Sequence, residues 1–238
     1  MLSPNFNERP DGVEIDTVVI HYTGMESFDK AFSRLCDKEA EVSAHYIIKE
    51  DGEIINLVHE GKRAWHAGVS SWRGRDNVND YSIGIELVNK GHEFGYEAFP
   101  SRQMDSLLRL LEELMEKHPI QLRNIVGHSD IAPTRKEDPG ELFNWELLVS
   151  YNLSVWPDLP QDIGSEALIS PGDSGESVKD LQKRLSEFGY QINIDGEYGV
   201  ETCYVVIAFC RRFAPTNISD VWHEQAEITL NSLLQSFI

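Results

Sequence analysis

The sequence predicts an α/β protein: a mixed β-sheet flanked by helices over residues 1–157, a linker at 158–167 and a small three-helix domain over 168–238. Short apolar strands that alternate with amphipathic helices predict the first part. The stretch SVWPDLPQDIGSE (154–166), rich in Pro, Gly and Asp, marks the junction. Three helical periods with little polar chemistry between them predict the tail.

Each element has its own signal. DTVVIHY (16–22) runs through β-branched residues and reads as a strand, with His21 near its end. Residues 29–40 have helical spacing, with Ala31, Phe32 and Leu35 inward. VSAHYIIKEDGEIINLV (42–58) reads as a hairpin, because two apolar runs flank Asp51-Gly52, which supplies the positive φ of a tight turn. In SIGIELV (82–88), Ile83, Ile85 and Leu87 share one strand face, and Gly84, Glu86 and Val88 share the other.

SRQMDSLLRLLEELMEKHP (101–119) is an amphipathic helix, with Ser101 as the expected N-cap. Its apolar stripe is Met104, Leu107, Leu108, Leu111, Leu114 and Met115, and Pro119 follows its end. NIVGH (124–128) is a short strand leading into a charged loop. In the tail, Val178, Leu181, Leu185 and Phe188 have helical spacing within 177–190, and a turn follows at Asp195-Gly196. Val205, Val206, Phe209 and Phe213 mark a second helix (201–213), and residues 223–236 form a third.

Composition sets bounds on function. With 41% hydrophobic and 26% charged residues the chain is globular rather than disordered. A net charge of −19 repels phosphate backbones and anionic lipid, so nucleic-acid binding and docking on such lipid are not expected. No stretch approaches the ~18 apolar residues of a membrane span. The opening MLSPNFNERPDG has no apolar signal region, so no signal peptide is visible. Three cysteines, Cys36, Cys203 and Cys210, have neither disulfide nor zinc-ribbon spacing and read as small apolar fillers.

The chemistry concentrates in GHSDIAPTRKEDPGELFNW (127–145). Pro133 and Pro139 forbid a continuous helix there. Two imidazoles and a carboxylate are the ligands of a catalytic zinc site, which keeps a fourth position for water. His21, His128 and Asp138 fit that set; by spacing alone, the histidines equally fit satisfied strand-end residues. Glu86 sits mid-strand beside Gly84. If buried, its pKa rises, which suits a general base; the other reading is a strand glutamate facing solvent or an arginine. Lys136, two residues before Asp138, fits either an oxyanion donor or a solvated charge. Trp65, His66 and Trp72 in RAWHAGVSSW suit the wall of a sugar or peptide cleft, and also an ordinary packed loop.

VIHYTG, SAHYII, RAWHAGVSSWRGRDNVNDYSIGIELVN and GHSDIAPTRKEDPG together resemble the zinc N-acetylmuramoyl-L-alanine amidases of the AmpD and AmiD kind, related in fold to peptidoglycan recognition proteins and phage T7 lysozyme. The resemblance covers residues ~13–157. It implies a mixed sheet flanked by helices, and hydrolysis of the amide between the muramic lactyl group and L-alanine. Carried over by motif, one Zn²⁺ falls on His21, His128 and Asp138, the catalytic glutamate on Glu86 and the transition-state lysine on Lys136. Trp65, His66, Trp72 and His45 of SAHYII are then expected to bind substrate.

The tail resembles the three-helix peptidoglycan-binding module in LQKRLSEFGY and DGEYGVET, but reads FCRRF where that module's helix usually ends in Phe-Gln. Peptidoglycan or muropeptide is thus the expected partner, with the tail supplying local concentration and not chemistry. The rival readings are a recognition protein that does not cut, and a zinc peptidase acting on wall peptides. A wall-binding tail favours the periplasm, the cell envelope or secretion, whereas the lack of a visible signal favours cytoplasmic recycling. Nothing in the sequence speaks to oligomeric state.

Overall fold

The structure is a computed structural model that describes residues 2–159 and 164–236. In chain order it carries β1 (Phe6–Glu8), β2 (Thr17–Tyr22), α1 (Phe28–Cys36), β3 (Tyr46–Ile48), β4 (Ile54–Asn56), β5 (Lys62–Ala64), β6 (Ser71–Trp72), β7 (Arg75–Asp76), β8 (Ser82–Leu87), α2 (Gly91–Phe94), α3 (Ser101–Lys117), β9 (Ile125–Gly127), α4 (His128–Ile131), α5 (Trp145–Ser150), β10 (Ala167–Ile169), α6 (Glu176–Phe188), α7 (Val200–Phe213), β11 (Trp222–His223) and α8 (Glu224–Gln235).

The central sheet has the order β4-β3-β8-β2-β9. It is mixed: β3, β8, β2 and β9 run parallel, and β4 returns antiparallel at the edge after the expected Asp51-Gly52 turn. Parallel strands are covered on both faces, which explains why β2 and β8 read as nearly continuous apolar runs. Three small antiparallel pairs, β1–β5, β6–β7 and β10–β11, lie outside this sheet.

Alternation along the strands sorts the residues by face. Val18, Ile20, Ile83, Ile85 and Ile125 meet the stripe Met104, Leu107, Leu108, Leu111 and Leu114 of α3. Gln103 ties that helix to the sheet edge by donating to the carbonyls of Ile48 and Val88. Helix α3 starts at Ser101, so Pro100 and not Ser101 occupies the N-cap position. The fixed φ of proline already fits the non-helical cap geometry observed there, φ −58° and ψ 144°.

The opposite face carries Val19, His21, Gly84, Glu86 and Val126. Helix α1 covers one part of it with Ala31 and Leu35, which pack on Ile47 and Val88. The remainder is covered by the 67–81 segment and by the C-terminal helices. Val19, Val126, Trp72 and Ile131 belong to one continuous apolar cluster with Phe188, Tyr190, Phe209 and Phe213. The tail's helices therefore share a core with the first part of the chain. The expected linker at 158–167 falls partly on 160–163, outside the described residues; before it, Val155 and Trp156 pack against that shared core. Among the described residues no helix is long and apolar enough to cross a membrane.

Candidate metal centre and active site

The register of the parallel strands assembles the site. His21 on β2 lies beside Glu86 on β8, and Ile20 lies beside Gly127, the residue before His128. Two imidazoles and a carboxylate thus meet at the carboxyl ends of adjacent strands, where open α/β sheets carry their ligand sites. The loop after α4 returns Asp138 to the same place, with Ser129 N donating to the Asp138 carbonyl at 2.9 Å.

Three atoms face one another: His21 Nδ1 and His128 Nδ1 at 2.9 Å, His21 Nδ1 and Asp138 Oδ2 at 3.0 Å, and His128 Nδ1 and Asp138 Oδ2 at 3.1 Å. All three side chains are buried.

The hydrogen-bond network assigns their protons. His128 Nε2 lies 3.2 Å from the Ala67 carbonyl, which can only accept, so Nε2 carries the proton and Nδ1 is a bare lone pair. For His21 the assignment runs through two neighbours. The Ser82 hydroxyl donates to the Val78 carbonyl at 2.6 Å, so its oxygen accepts from His66 Nε2 at 3.1 Å. His66 Nδ1 is then an acceptor and takes the proton of His21 Nε2 at 3.0 Å. That leaves His21 Nδ1 bare as well. Burial, and then the neighbouring His128, push the His21 pKa down to about 4, which keeps the ring neutral.

Two imidazole lone pairs and a carboxylate oxygen so arranged repel one another unless a cation lies between them. Tetrahedral zinc with bonds near 2.0–2.1 Å sets its ligand atoms about 3.3 Å apart, close to the observed triangle. The donor set and its protonation fit zinc.

The triad opens on a cleft of about 360 Å³ that Glu86, Lys136, Trp65 and His66 also line. Burial, followed by the charge of Asp138, pushes the Glu86 pKa well above its ordinary value, with Lys136 opposing. Its Oε2 has no hydrogen-bond partner among the described residues. The structure thus brings together His21, His128, Asp138, Glu86, Lys136, Trp65 and His66, although His66 spends both ring nitrogens on orienting His21. Its ring lies over Gly84, where a Cβ would fall 2.4 Å from it, so the small residue beside Glu86 makes room for this relay.

Two expected substrate contacts are corrected. His45 is fully buried beneath His66: its Nδ1 accepts from Gly84 N at 3.0 Å, and Nε2 faces the Lys62 carbonyl at 3.1 Å, so no ring atom is left for substrate. Trp72 is fully buried as well, packed edge-on against Phe188 and Tyr190 of the tail, away from the cleft.

The sequence reading missed Ser82, which anchors the relay, and Arg135, which lines the cleft. Arg135 holds the Ala67 and Val69 carbonyls, the former being the acceptor that orients His128. Arg135 had a signal in its place beside Lys136; Ser82, an ordinary strand serine, had none. Asn79 adds a further restraint, as its Oδ1 accepts from the amides of His66 and Ala67.

Comparison with known proteins follows the same two parts. The N-acetylmuramoyl-L-alanine amidase family matches residues 11–141, and a peptidoglycan binding domain matches residues 174–216. The chain is 34% identical over 238 residues to N-acetylmuramoyl-L-alanine amidase AmiD of Escherichia coli K12, covering 94% of this chain and 83% of that protein. It is 39% identical to 1,6-anhydro-N-acetylmuramyl-L-alanine amidase AmpD of Haemophilus influenzae over 62% of this chain and 88% of that one. The solved complex of E. coli AmiD with anhydro-N-acetylmuramic acid-L-Ala-D-γ-Glu-L-Lys superposes with a TM-score of 0.80 at 30% identity, covering 98% of each chain.

Proposed function

The chain belongs to the N-acetylmuramoyl-L-alanine amidase family, and from that premise we propose that it works with one zinc ion held by His21, His128 and Asp138. It is an amidase that splits the bond between the lactyl carbonyl of N-acetylmuramic acid, or its 1,6-anhydro form, and the nitrogen of L-alanine. The observation that carries the metal reading is the triangle of bare acceptor atoms with no proton to share. Zinc bound there supplies Lewis acidity and lowers the pKa of water toward ~7.

The chain's own residues do the rest. The raised pKa of Glu86 suits a group that takes a proton from the attacking water and later delivers it to the leaving alanine nitrogen. Lys136 also lines the cleft and donates to the oxyanion of the tetrahedral carbon. His66 and Ser82 hold the His21 proton on Nε2, and the Ala67 carbonyl holds that of His128. Trp65 forms part of the cleft wall.

Residues 168–238 form a unit that contacts intact wall, with the catalytic unit in 1–157. A tail of this kind works where polymer is present, which favours the periplasm, the cell envelope or secretion over cytoplasmic recycling.

Metal analysis of His21→Ala, His128→Ala and Asp138→Ala, each expected to lose stoichiometric zinc, tests the centre; full retention in all three would sink it. Mass analysis of digested wall tests the reaction: free stem peptide supports the amidase, split cross-bridges a peptidase, and intact polymer mere recognition.

A further inference from the structure

The two arginines of FCRRF, at the end of α7, point back into the first part of the chain. Arg212 is only 2% exposed. Its Nη1 donates to Asp130 Oδ2 at 2.7 Å, and its Nη2 to the Ile125 carbonyl at 3.1 Å and Ser154 Oγ at 3.3 Å. Its guanidinium lies 4.1 Å from the centre of the Trp145 ring. Tyr190, which follows α6, donates its hydroxyl to the other oxygen, Asp130 Oδ1, at 2.7 Å. Asp130 is 1% exposed, and its Oδ2 also accepts from Gly127 N at 2.8 Å.

Asp130 therefore closes the turn from β9 into α4, the turn that carries His128, and two residues of the tail satisfy its charge. Arg211, the preceding residue, faces the far end of the same loop. Its Nη2 lies 4.0 Å from Glu137 and its Nε 3.8 Å from Glu141, on either side of Asp138. One helix end thus grips both segments that bear two of the three inward-facing acceptors.

We propose that the C-terminal unit is a structural component of the metal centre, in which Arg212 and Tyr190 act as positioning residues that hold Asp130 and, through it, the His128 turn. The inference rests on the metal reading above. A charge buried with its partner in this way fixes one arrangement: without the guanidinium, Asp130 would be left in the core with its charge uncompensated, and the turn would move to bring it to water. The imidazole of His128 would move with it. Outer groups of this sort hold ligands in place, and their loss weakens metal binding by about 10–100-fold.

The test uses the full chain, with zinc affinity measured by competition with a chromophoric chelator and the visible spectrum of the cobalt-substituted site. Arg212→Gln should weaken zinc by about that factor and alter the cobalt spectrum. Tyr190→Phe should do so by a smaller factor, and Arg212→Lys should recover part of the loss. Leu230→Ala, buried in α8 far from Asp130 in sequence, should lower the melting temperature yet leave affinity and spectrum as in the wild type. Should Arg212→Gln fail to fold, Tyr190→Phe, which deletes one hydroxyl, decides alone. Wild-type affinity and spectrum in the Arg212 and Tyr190 variants would overturn the inference, as would an equal loss in Leu230→Ala. A wild-type chain that takes up neither zinc nor cobalt would overturn the metal reading itself.

Discussion

Ser82→Ala removes one oxygen atom and tests the whole chain of proton assignments. The hydroxyl is fully buried, donates to Val78 O at 2.6 Å and accepts from His66 Nε2 at 3.1 Å. The Val78 carbonyl keeps a second donor, the Tyr81 amide at 3.3 Å. The His66 N–H keeps none from this network, and a buried orphan donor costs about 1–3 kcal/mol. His66 can escape by moving its proton to Nδ1, but then it faces the His21 Nε2 proton across 3.0 Å. His21 must in turn shift its proton to Nδ1, into the metal centre, where zinc has to displace it.

The cost thus appears either as lost stability of the metal-free protein or as lost zinc affinity. The second form, about 10–100-fold for an outer partner of a ligating histidine, corresponds to about 1.4–2.7 kcal/mol, inside the range expected for one orphan donor. Denaturant unfolding of the zinc-free variant and chelator competition of the loaded one measure the two parts. A variant matching the wild type in both would refute the relay from Ser82 to His21.

Other consequences follow from the same geometry. Glu86→Gln should keep its zinc and lose turnover by about 10²–10⁴-fold, and Lys136→Ala should keep zinc with a loss of about 10²–10³-fold; near-normal turnover in the former would return Glu86 to an ordinary strand residue. Burial alone would raise the Glu60 carboxyl, but hydrogen bonds from Tyr46 and His118 hold it below its ordinary value. The unfolded chain then binds the proton more readily, so this stabilisation is present above the ordinary carboxylate pKa and is lost as pH falls through the folded value. Glu60→Gln should therefore be less stable at neutral pH and converge with the wild type in acid; parallel stability curves between about pH 7 and about pH 3 would contradict this. Removing residues after ~165 strips the cover from Trp72, Val19 and Val126 and leaves Asp130 without its counter-ion, so the truncated chain should be poorly soluble and bind zinc weakly. A soluble fragment with normal activity on small muropeptides would restore the simpler view of a detachable tail.

The strands and the main helices were legible from their periodicity; the five site residues stood out as unusual choices, but it was the family resemblance that grouped them. A histidine within an apolar strand, a glutamate beside a glycine and a charged loop broken by prolines are costly unless something uses them. What the sequence hid was which surface covers which. Trp72 beside glycine and serines looks like a cleft wall, and only the tail's Phe188 and Tyr190 make it core. His45 is polar in an apolar run, as His21 is, yet its ring is consumed by backbone groups that strand pairing brings to it. Both misreadings concern partners far away in the chain, and local pattern carries no information about those.

The same blindness bears on the tail. Read alone, FCRRF looked like a binding module that had lost its usual ending. In the folded chain the two arginines face Asp130, Glu137 and Glu141, three acids of the one loop that also supplies His128 and Asp138. The relative AmpD aligns with 62% of this chain and 88% of its own length, so the likeness to it does not extend over the whole chain. Here, the second face of the sheet was left apolar at Val19 and Val126, and an acid was placed in the turn below His128. Both features are liabilities in an isolated catalytic unit, and both are answered by residues beyond the junction. On the reading proposed above, a chain built this way gains a rigid loop for the metal and gives up the independence of its two halves. Exchanging its tail for that of another family member should therefore preserve zinc affinity only where the donor supplies an arginine and a tyrosine at these two places; an exchange lacking both that still bound zinc normally would show that the halves are independent after all.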